Sequence, residues 1–86
     1  MKYIIDVRTK EEFEEEAVAG AMNFDLADMV EGKIPDLPKD AEIELYCRSG
    51  GRSGRAKDIL EQEGFGNVTN LGGRQDAKEY LSQTLV

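Results

Sequence analysis

Apolar residues along the chain occur in two kinds of pattern, and the two alternate from one end to the other. Short runs rich in β-branched or aromatic residues are typical of strands, which we expect at residues 3–6, 21–24, 43–47 and 68–71. Between these runs, apolar residues recur at helical spacing, as on one face of a helix. The connections are too long for hairpins, so the strands are predicted to lie parallel. We therefore expect an α/β fold, with a small parallel sheet of about four to five strands flanked by helices on both faces.

Polar residues with capping chemistry set the expected ends of the helices. Thr9 and Glu12 have the spacing of a capping box, and Gly20 is expected to end the helix that they begin. Asp25 is expected to cap a brief second helix, and Gly64 to terminate the helix before the last strand. Loops or turns are expected at a group of glycine and proline positions, namely Gly32, Pro35, Pro38 and Gly72–Gly73. Side chains expected in the core include Phe13, Ala17, Met22, Met29, Tyr80 and Leu81.

The length and charge of the chain limit what it can bind. Its 86 residues are expected to form a single domain, residues 1–86, which we expect to be a monomer. The net charge is −7, from 18 acidic and 11 basic residues, which argues against nucleic-acid binding and against docking on an anionic membrane. No apolar run approaches the roughly 18–20 residues of a membrane-spanning helix. The sequence as written suits the cytoplasm, whereas a leader cleaved from a longer precursor would place the protein in the periplasm.

A single cysteine, Cys47, and the absence of histidine restrict the available chemistry. One cysteine cannot form an internal disulfide. Without histidine, the chain has no Cys–His or Ser–His dyad and no histidine ligand for a metal. We therefore expect no metal and no cofactor, and any nucleophile must be activated by the charges and backbone dipoles around it.

The segment that follows Cys47 has the features of an anion-binding loop. Cys47 comes at the carboxyl end of a predicted strand, where open α/β sheets bind their ligands. The next helix is expected to begin around Arg52 or Ser53, so that its free N–H groups face the sulfur and favour the thiolate. Gly50 and Gly51 allow the backbone to curl into a nest of N–H groups. Together these features predict a nucleophilic thiolate beside an anion site, whereas a lone cysteine at a strand end would only fill space.

Three arginines reverse the negative charge of the chain locally. They are Arg48, Arg52 and Arg55. Cysteine phosphatases also hold a thiolate in a strand–loop–helix cradle, but they place their essential arginine at the position that Ser53 occupies here. Arg52 comes one residue earlier, which predicts a tighter ring, better suited to a sulfur atom than to a phosphoryl group.

The loop and its neighbours resemble the single-domain rhodaneses, a family of thiosulfate sulfurtransferases. The segments that carry the resemblance, in family order, are residues 5–8 with 12–13, 20–23, 47–53 and 64–73. They cover nearly the whole chain, and the likeness is greatest to the short phage-shock-protein-E-like type. The resemblance implies the rhodanese fold, a catalytic persulfide on Cys47 and substrate binding by the loop. The substrate-binding residues that it implies are Arg48, Ser49, Gly50, Gly51, Arg52 and Ser53.

The resemblance also implies a sulfur transfer in two steps. A small anionic donor such as thiosulfate binds with Arg48 or Arg52 near its sulfonate, and Cys47 takes the sulfane sulfur. Backbone N–H groups of the loop hold the persulfide, which passes its sulfur to cyanide, a thiol or an acceptor protein. Two alternatives stay open: a non-catalytic sulfur-carrier or protein-docking module, and a cysteine phosphatase or arsenate reductase.

Polar residues near the loop are expected to be structural. Asp6 is expected to bond backbone at the end of its strand, and Arg8 to pair with a carboxylate such as Glu12 and so anchor the first helix. Ser53 is expected to cap the helix that follows the loop.

Overall fold

Strands and helices alternate in the computed structural model, which describes residues 2–84. The strands are β1 (Lys2–Asp6), β2 (Met22–Asn23), β3 (Glu42–Cys47) and β4 (Val68–Gly73). The helices are α1 (Lys10–Glu15), α2 (Leu26–Val30), α3 (Gly51–Gln62) and α4 (Arg74–Thr84). None of the helices within this part of the chain is long and apolar enough to cross a lipid bilayer.

All four strands pair in parallel, in the order β2-β1-β3-β4. Asp6 of β1 lies opposite Tyr46 of β3, and Cys47 lies opposite Gly73 of β4. Because the strands are parallel, their carboxyl ends meet at one edge of the sheet. The predicted α/β fold is confirmed, and its sheet brings Cys47 to that edge.

Alternation along the central strand β3 divides the core into two faces. Ile43, Leu45 and Cys47 are buried on one face, in the same apolar cluster as Ala56 and Leu60 of α3. Helix α2 joins this cluster and packs against α3. Removing a leucine or isoleucine side chain of this kind from water contributes roughly 1.5–3 kcal/mol, so β3 and α3 together hold the loop that joins them.

The opposite face of β3 carries Tyr46, whose side chain is fully buried. Its hydroxyl accepts a hydrogen bond from the backbone N–H of Val18 at 3.0 Å, which fastens the segment between α1 and β2 onto the sheet. Helix α4 covers the rest of this face through the buried Ala77 and Leu81. Helices therefore flank both faces of the sheet, as the hydrophobic pattern predicts.

The predicted caps are present. The Thr9 hydroxyl accepts from the Glu12 N–H at 3.2 Å, and the Glu12 carboxylate accepts from the Thr9 N–H at 3.2 Å, which completes a capping box. The Asp25 carboxylate accepts from the N–H of Ala27 at the start of α2. Gly64 has a φ of 100° just beyond α3, where a left-handed residue ends a helix.

Helix α1 ends at Glu15, earlier than the glycine that was expected to stop it. The next residue, Glu16, is extended, with a φ of −163°. Its carbonyl accepts a hydrogen bond from the Arg8 guanidinium at 2.6 Å, which replaces the helical hydrogen bond that a longer α1 would have made. Gly20, with a φ of 85°, instead forms the turn before β2.

Strand β4 extends through the two glycines that were expected to form a turn. Leu45 pairs with Asn70, but Tyr46 pairs with Gly72, so one residue of β4 bulges out of the ladder. Gly72 has a φ of 97°, which a residue with a side chain adopts at a cost of roughly 1–2 kcal/mol. The two glycines that predicted a turn instead accompany a β-bulge. Strand β4 therefore continues for two more residues alongside β3.

Two side chains expected in the core are exposed. Tyr80 is 39 % exposed, because Ala77 and Leu81 already occupy the inner face of α4. Met22 is 42 % exposed, because β2 is an edge strand with one neighbour only. Phe13 and Ala17 are partly buried, so the inward stripe predicted for α1 packs only loosely on the sheet.

Asp6 and Arg8 form a buried ion pair at the carboxyl end of β1. The Arg8 Nη2 donates to Asp6 Oδ2 at 2.6 Å, and Nε lies 3.0 Å from both carboxylate oxygens. Asp6 also accepts from the Arg8 backbone N–H at 2.9 Å, as expected for this aspartate. Arg8 pairs with a carboxylate as predicted, but the carboxylate is that of Asp6 and not that of Glu12. Asp6 lies two residues away and is itself buried, so the pair neutralises both buried charges.

Replacing Asp6 with asparagine should leave the buried Arg8 guanidinium without a counter-charge. We expect Asp6→Asn to lower the free energy of unfolding by about 3–5 kcal/mol in urea denaturation. The matched control is Glu16→Gln, which breaks the ion pair between Arg74 and a glutamate whose side chain is 62 % exposed. That exposed pair should contribute less than about 1 kcal/mol. Equal losses in the two variants would contradict a special role for the buried pair.

Candidate active site

Cys47 ends β3 with its side chain turned toward α3. The side chain is 1 % exposed and lies under residues 48–50 and the first turn of α3. Strand β3 fixes its direction because Ile43 and Leu45, on the same face, are locked in the core. The predicted position of the nucleophile at the carboxyl edge of the sheet is confirmed.

Backbone and side-chain donors reach the sulfur. The Gly50 N–H donates to Cys47 Sγ at 2.9 Å, and the Ser53 hydroxyl lies 3.4 Å from the same atom. Burial raises the pKa of the Cys47 thiol, but hydrogen bonds from Ser53 and from the N–H groups of Ser49 and Gly50 outweigh it, so the pKa lies below its ordinary value. The loop therefore favours a thiolate without any histidine.

Gly50 is the residue on which this geometry depends. It has a φ of 99° and serves as the N-cap of α3 without a capping side chain. A Cβ on Gly50 would lie 3.3 Å from the Cα of Gly72, so the loop packs directly against the bulge of β4. Gly51, which was expected to share this role, has an ordinary φ and open space around it, because it already belongs to α3.

Ser53 lies inside α3 rather than at its cap. The helix begins at Gly51, before the start predicted around Arg52 or Ser53, and the Ser53 side chain is turned inward and fully buried. Its hydroxyl is 2.6 Å from Asn70 Oδ1, as well as 3.4 Å from the sulfur. The predicted capping role is therefore wrong, and Ser53 instead links the sulfur to β4.

Asn70 is the residue of this site that the sequence did not reveal. Its Nδ2 donates to the Gly50 carbonyl at 3.1 Å, and its Oδ1 accepts from the Gly72 N–H at 2.9 Å. A signal was present, because asparagine is depleted in strands and this one interrupts a predicted strand just before two glycines. Nothing in the sequence, however, indicated that β4 would bring it against the loop.

Arg52 extends to α1. Its guanidinium makes two hydrogen bonds to the Glu12 carboxylate, at 2.7 and 3.1 Å. These bonds lower the pKa of Glu12 to about 2. The pair joins α1 to the start of α3. It engages one of the arginines that were expected to bind the substrate.

Arg48 follows Cys47 directly in the chain. Its side chain is exposed and lines a cavity of about 420 Å³ at the carboxyl edge of the sheet. The other residues that line this cavity are Arg8, Glu12, Glu15, Glu16, Arg74 and Gln75. The cavity is therefore polar and carries both signs of charge. Ser49 is exposed beside it, whereas Arg55 is exposed on α3 and does not line it.

Gly73 gives the loop its close approach to β4. A Cβ on Gly73 would lie 2.5 Å from the Arg48 carbonyl oxygen, closer than real Cβ atoms come. The Gly73 N–H donates to the Asp76 carboxylate in the first turn of α4 at 3.1 Å. Glycine is therefore required at position 73, because the loop and β4 leave no room there for a side chain.

The sequence and the fold have close relatives among known proteins. The sequence profile of the rhodanese-like domain family matches residues 1–78. The chain is 40 % identical over 73 residues to the thiosulfate sulfurtransferase PspE of Escherichia coli, which covers 84 % of this chain and 70 % of PspE. It is 34 % identical over 70 residues to a sulfurtransferase of Allochromatium vinosum, which covers 81 % of this chain and 64 % of that protein. The solved structure of a rhodanese with anions from E. coli superposes with a TM-score of 0.73 at 37 % identity, over 88 % of this chain and 91 % of that one.

The two loop glycines should differ sharply in their tolerance of a side chain. We expect Gly50→Ala to lower the free energy of unfolding by about 1–2 kcal/mol, because alanine resists a positive φ, and to raise the pH midpoint of Cys47 alkylation by iodoacetamide. The matched control, Gly51→Ala, should leave both quantities nearly unchanged. Equal effects of the two substitutions would show that the positive φ of Gly50 does not control the thiolate.

The ion pair between Glu12 and Arg52 should make stability depend on pH in acid. Its partner lowers the pKa of Glu12 to about 2 in the folded state, so the pair's contribution is present above the unfolded pKa of roughly 4.3 and is lost as the pH falls toward the folded pKa. Glu12→Gln keeps the capping box but removes the pair. We expect it to be less stable than the parent by a constant amount near pH 7, and the gap to close between about pH 4 and pH 2.

Urea denaturation across this pH range tests the expectation. The control is Glu14→Gln, an exposed glutamate of α1, which should show a much smaller change in its gap with pH. A gap for Glu12→Gln that persists undiminished at pH 2 would mean that the charge of Glu12 is not what stabilises the contact.

Proposed function

This chain belongs to the rhodanese-like domain family and is a sulfurtransferase, and we propose that it carries sulfane sulfur as a persulfide on Cys47. The observation that carries this proposal is the hydrogen bond of 2.9 Å from the Gly50 N–H to Cys47 Sγ, at the start of a helix. A thiolate held in this way is a nucleophile, and the same N–H groups would stabilise the terminal charge of a persulfide.

The proposed reaction has two half-reactions on one sulfur atom. The Cys47 thiolate attacks the sulfane sulfur of thiosulfate, forming a new S–S bond while the bond to the sulfonate sulfur breaks, and sulfite leaves with that electron pair. The terminal sulfur of the persulfide is then attacked by cyanide or a thiol, which takes the sulfur atom and returns the thiolate. Because each half-reaction uses the same nucleophile, the kinetics should be ping-pong.

Arg48 is the loop cation best placed to receive an anionic donor. Arg48 is adjacent to Cys47 in the chain and lines the polar cavity at the carboxyl edge of the sheet, whereas Arg52 is already engaged by Glu12. The backbone N–H groups of Ser49 and Gly50 face the sulfur and complete the cradle, with Gly51 at the start of α3 behind them. We therefore assign donor recognition chiefly to Arg48 and the loop backbone, and assign Ser53 to the sulfur itself.

The same geometry supports a phosphatase function less well. Phosphoryl transfer needs cations or donors directed at the oxygens of the transferred group. Here the Arg52 guanidinium is turned toward α1 and its charge is shared with a carboxylate. The ring between Cys47 and Arg52 therefore does not present an arginine to a phosphate in the way that a phosphatase loop requires.

Intact mass spectrometry after treatment with thiosulfate tests the proposal directly. We expect the parent protein to gain the mass of one sulfur atom, to lose it when cyanide is added, and to release thiocyanate. Cys47→Ser should show no gain and no turnover, while sulfate in place of thiosulfate should give no adduct because it has no sulfane sulfur. Thiocyanate formation that survives Cys47→Ser would contradict a persulfide on this residue, and Cys47-dependent hydrolysis of an aryl phosphate would favour a phosphatase.

A stable adduct that passes sulfur to cyanide only slowly would favour the carrier alternative. In that case, the adduct should still be discharged by a thiol-bearing acceptor protein. The comparison of the two acceptors therefore separates a catalyst for small molecules from a module that serves a protein.

A further inference from the structure

Asn70 connects β4 to two residues that donate to the Cys47 sulfur. Its Nδ2 donates to the Gly50 carbonyl at 3.1 Å, and its Oδ1 lies 2.6 Å from the Ser53 hydroxyl. Its Oδ1 also accepts from the Gly72 N–H at 2.9 Å, which anchors the amide to its own strand. One amide thus contacts two of the residues that donate to the sulfur, and it acts on the sulfur through them.

We propose that Asn70 is a positioning residue, which holds the Gly50 N–H and the Ser53 hydroxyl in the arrangement that favours the Cys47 thiolate. The inference rests on the proposed persulfide function for its biological meaning. The thiolate in question is that of Cys47 before any sulfur is bound.

The hydrogen bond from Asn70 matters to Gly50 because no capping side chain fixes the conformation of this residue. The carbonyl of Gly50 accepts from the Gly54 N–H at 3.0 Å, as the first hydrogen bond of α3, and from Asn70 at 3.1 Å. The helix alone would leave the residue free to rotate about its positive φ, because glycine is more permissive than any other residue. The second hydrogen bond, from a neighbouring strand, holds the peptide between Gly50 and Gly51. It thereby restricts the φ and ψ of Gly50, which set the direction of the preceding peptide and its N–H.

Ser53 needs an acceptor for a different reason. Its hydroxyl carries one proton but lies within 3.5 Å of several acceptors, among which Asn70 Oδ1 is the nearest at 2.6 Å and Cys47 Sγ is at 3.4 Å. The contact with Asn70 Oδ1 keeps the Ser53 hydroxyl beside the sulfur, where its one proton is shared between the amide oxygen and the thiolate. Without Asn70, the hydroxyl loses its nearest partner and its fixed position.

The charged groups around the sulfur do not depend on Asn70. Arg52 of α3 is paired with Glu12 of α1, Arg48 lies in the loop, and Asp76 of α4 bonds the Gly73 N–H. A neutral substitution at position 70 leaves each of these contacts in place. A change in the acidity of Cys47 in such a variant would therefore report the positions of the two donors rather than a change of charge.

The pH dependence of Cys47 alkylation by iodoacetamide measures this directly in the folded protein. We expect Asn70→Ala to raise the midpoint by roughly 0.5–1 pH unit, which corresponds to about three- to ten-fold slower alkylation at a pH below the midpoint. The matched control is Asn67→Ala, which removes an asparagine hydrogen bond to the Asp40 carbonyl at the other end of β4. Asn67→Ala should leave the midpoint where it is in the parent.

A purely structural role predicts a different result. If Asn70 only stabilises β4, Asn70→Ala should lower the free energy of unfolding but leave the alkylation midpoint unchanged, and this result would overturn the proposal. Asn70→Ser supplies the comparison where the alanine variant does not fold, because a serine hydroxyl can bond the backbone two residues on but is shorter than the amide that reaches Gly50. Its midpoint should rise as well, and an unshifted midpoint in a folded Asn70→Ser variant would equally overturn the proposal.

The same samples keep this proposal separate from the proposed function. The alkylation midpoint needs no sulfur donor, so it tests Asn70 even if the parent protein forms no persulfide with thiosulfate. Conversely, a parent that forms the persulfide and an Asn70→Ala variant with an unshifted midpoint would reject the positioning role while supporting sulfur transfer.

Discussion

The hydrogen bond from the Gly50 N–H to the Cys47 sulfur is the interaction on which the site depends. Without histidine, the chain has no general base to remove the thiol proton, so the thiolate must be favoured by dipoles that are already in place. The bond requires a positive φ at residue 50, a helix that starts immediately afterwards, and a strand against which the loop can rest. Each part of the fold around the site supplies one of these conditions.

The parallel sheet supplies the strand. Cys47 and Gly73 lie opposite each other at the carboxyl edge, and the bulge in β4 carries Gly72 beneath Gly50 with only backbone between them. The glycines of β4 are therefore part of the active-site loop in space, although about twenty residues separate the two segments in sequence. Asn70 completes the contact by bonding across the gap, so that loop and strand form one hydrogen-bonded unit.

Ion pairs hold the elements that surround this unit, and they differ in burial. The pair between Asp6 and Arg8 is buried at the end of β1, where it also fixes the chain beyond α1 through the Glu16 carbonyl. The pair between Glu12 and Arg52 is partly exposed and joins α1 to α3 directly beside the nucleophile. Arg52, one of the arginines expected to bind the donor, thus makes a structural contact with Glu12. Arg48 is the loop arginine that lines the open cavity.

The sequence by itself determined the order of strands and helices, the parallel sheet and the capping box of α1, because each depends on local spacing. Its single cysteine also made Cys47 the candidate nucleophile. Only the tertiary structure decided the partners. Arg8 pairs with Asp6 and Arg52 with Glu12, Ser53 faces the sulfur instead of capping α3, and Asn70 reaches the loop. The Asp6–Arg8 pair depends on the burial of both side chains, and the contacts of Ser53 and Asn70 depend on the bulge of β4 and on the residue at which α3 begins. Local patterns cannot specify these conditions. The sequence therefore indicated Cys47 as the candidate nucleophile, whereas the groups that surround its sulfur were identified only from the position of β4 beside the loop.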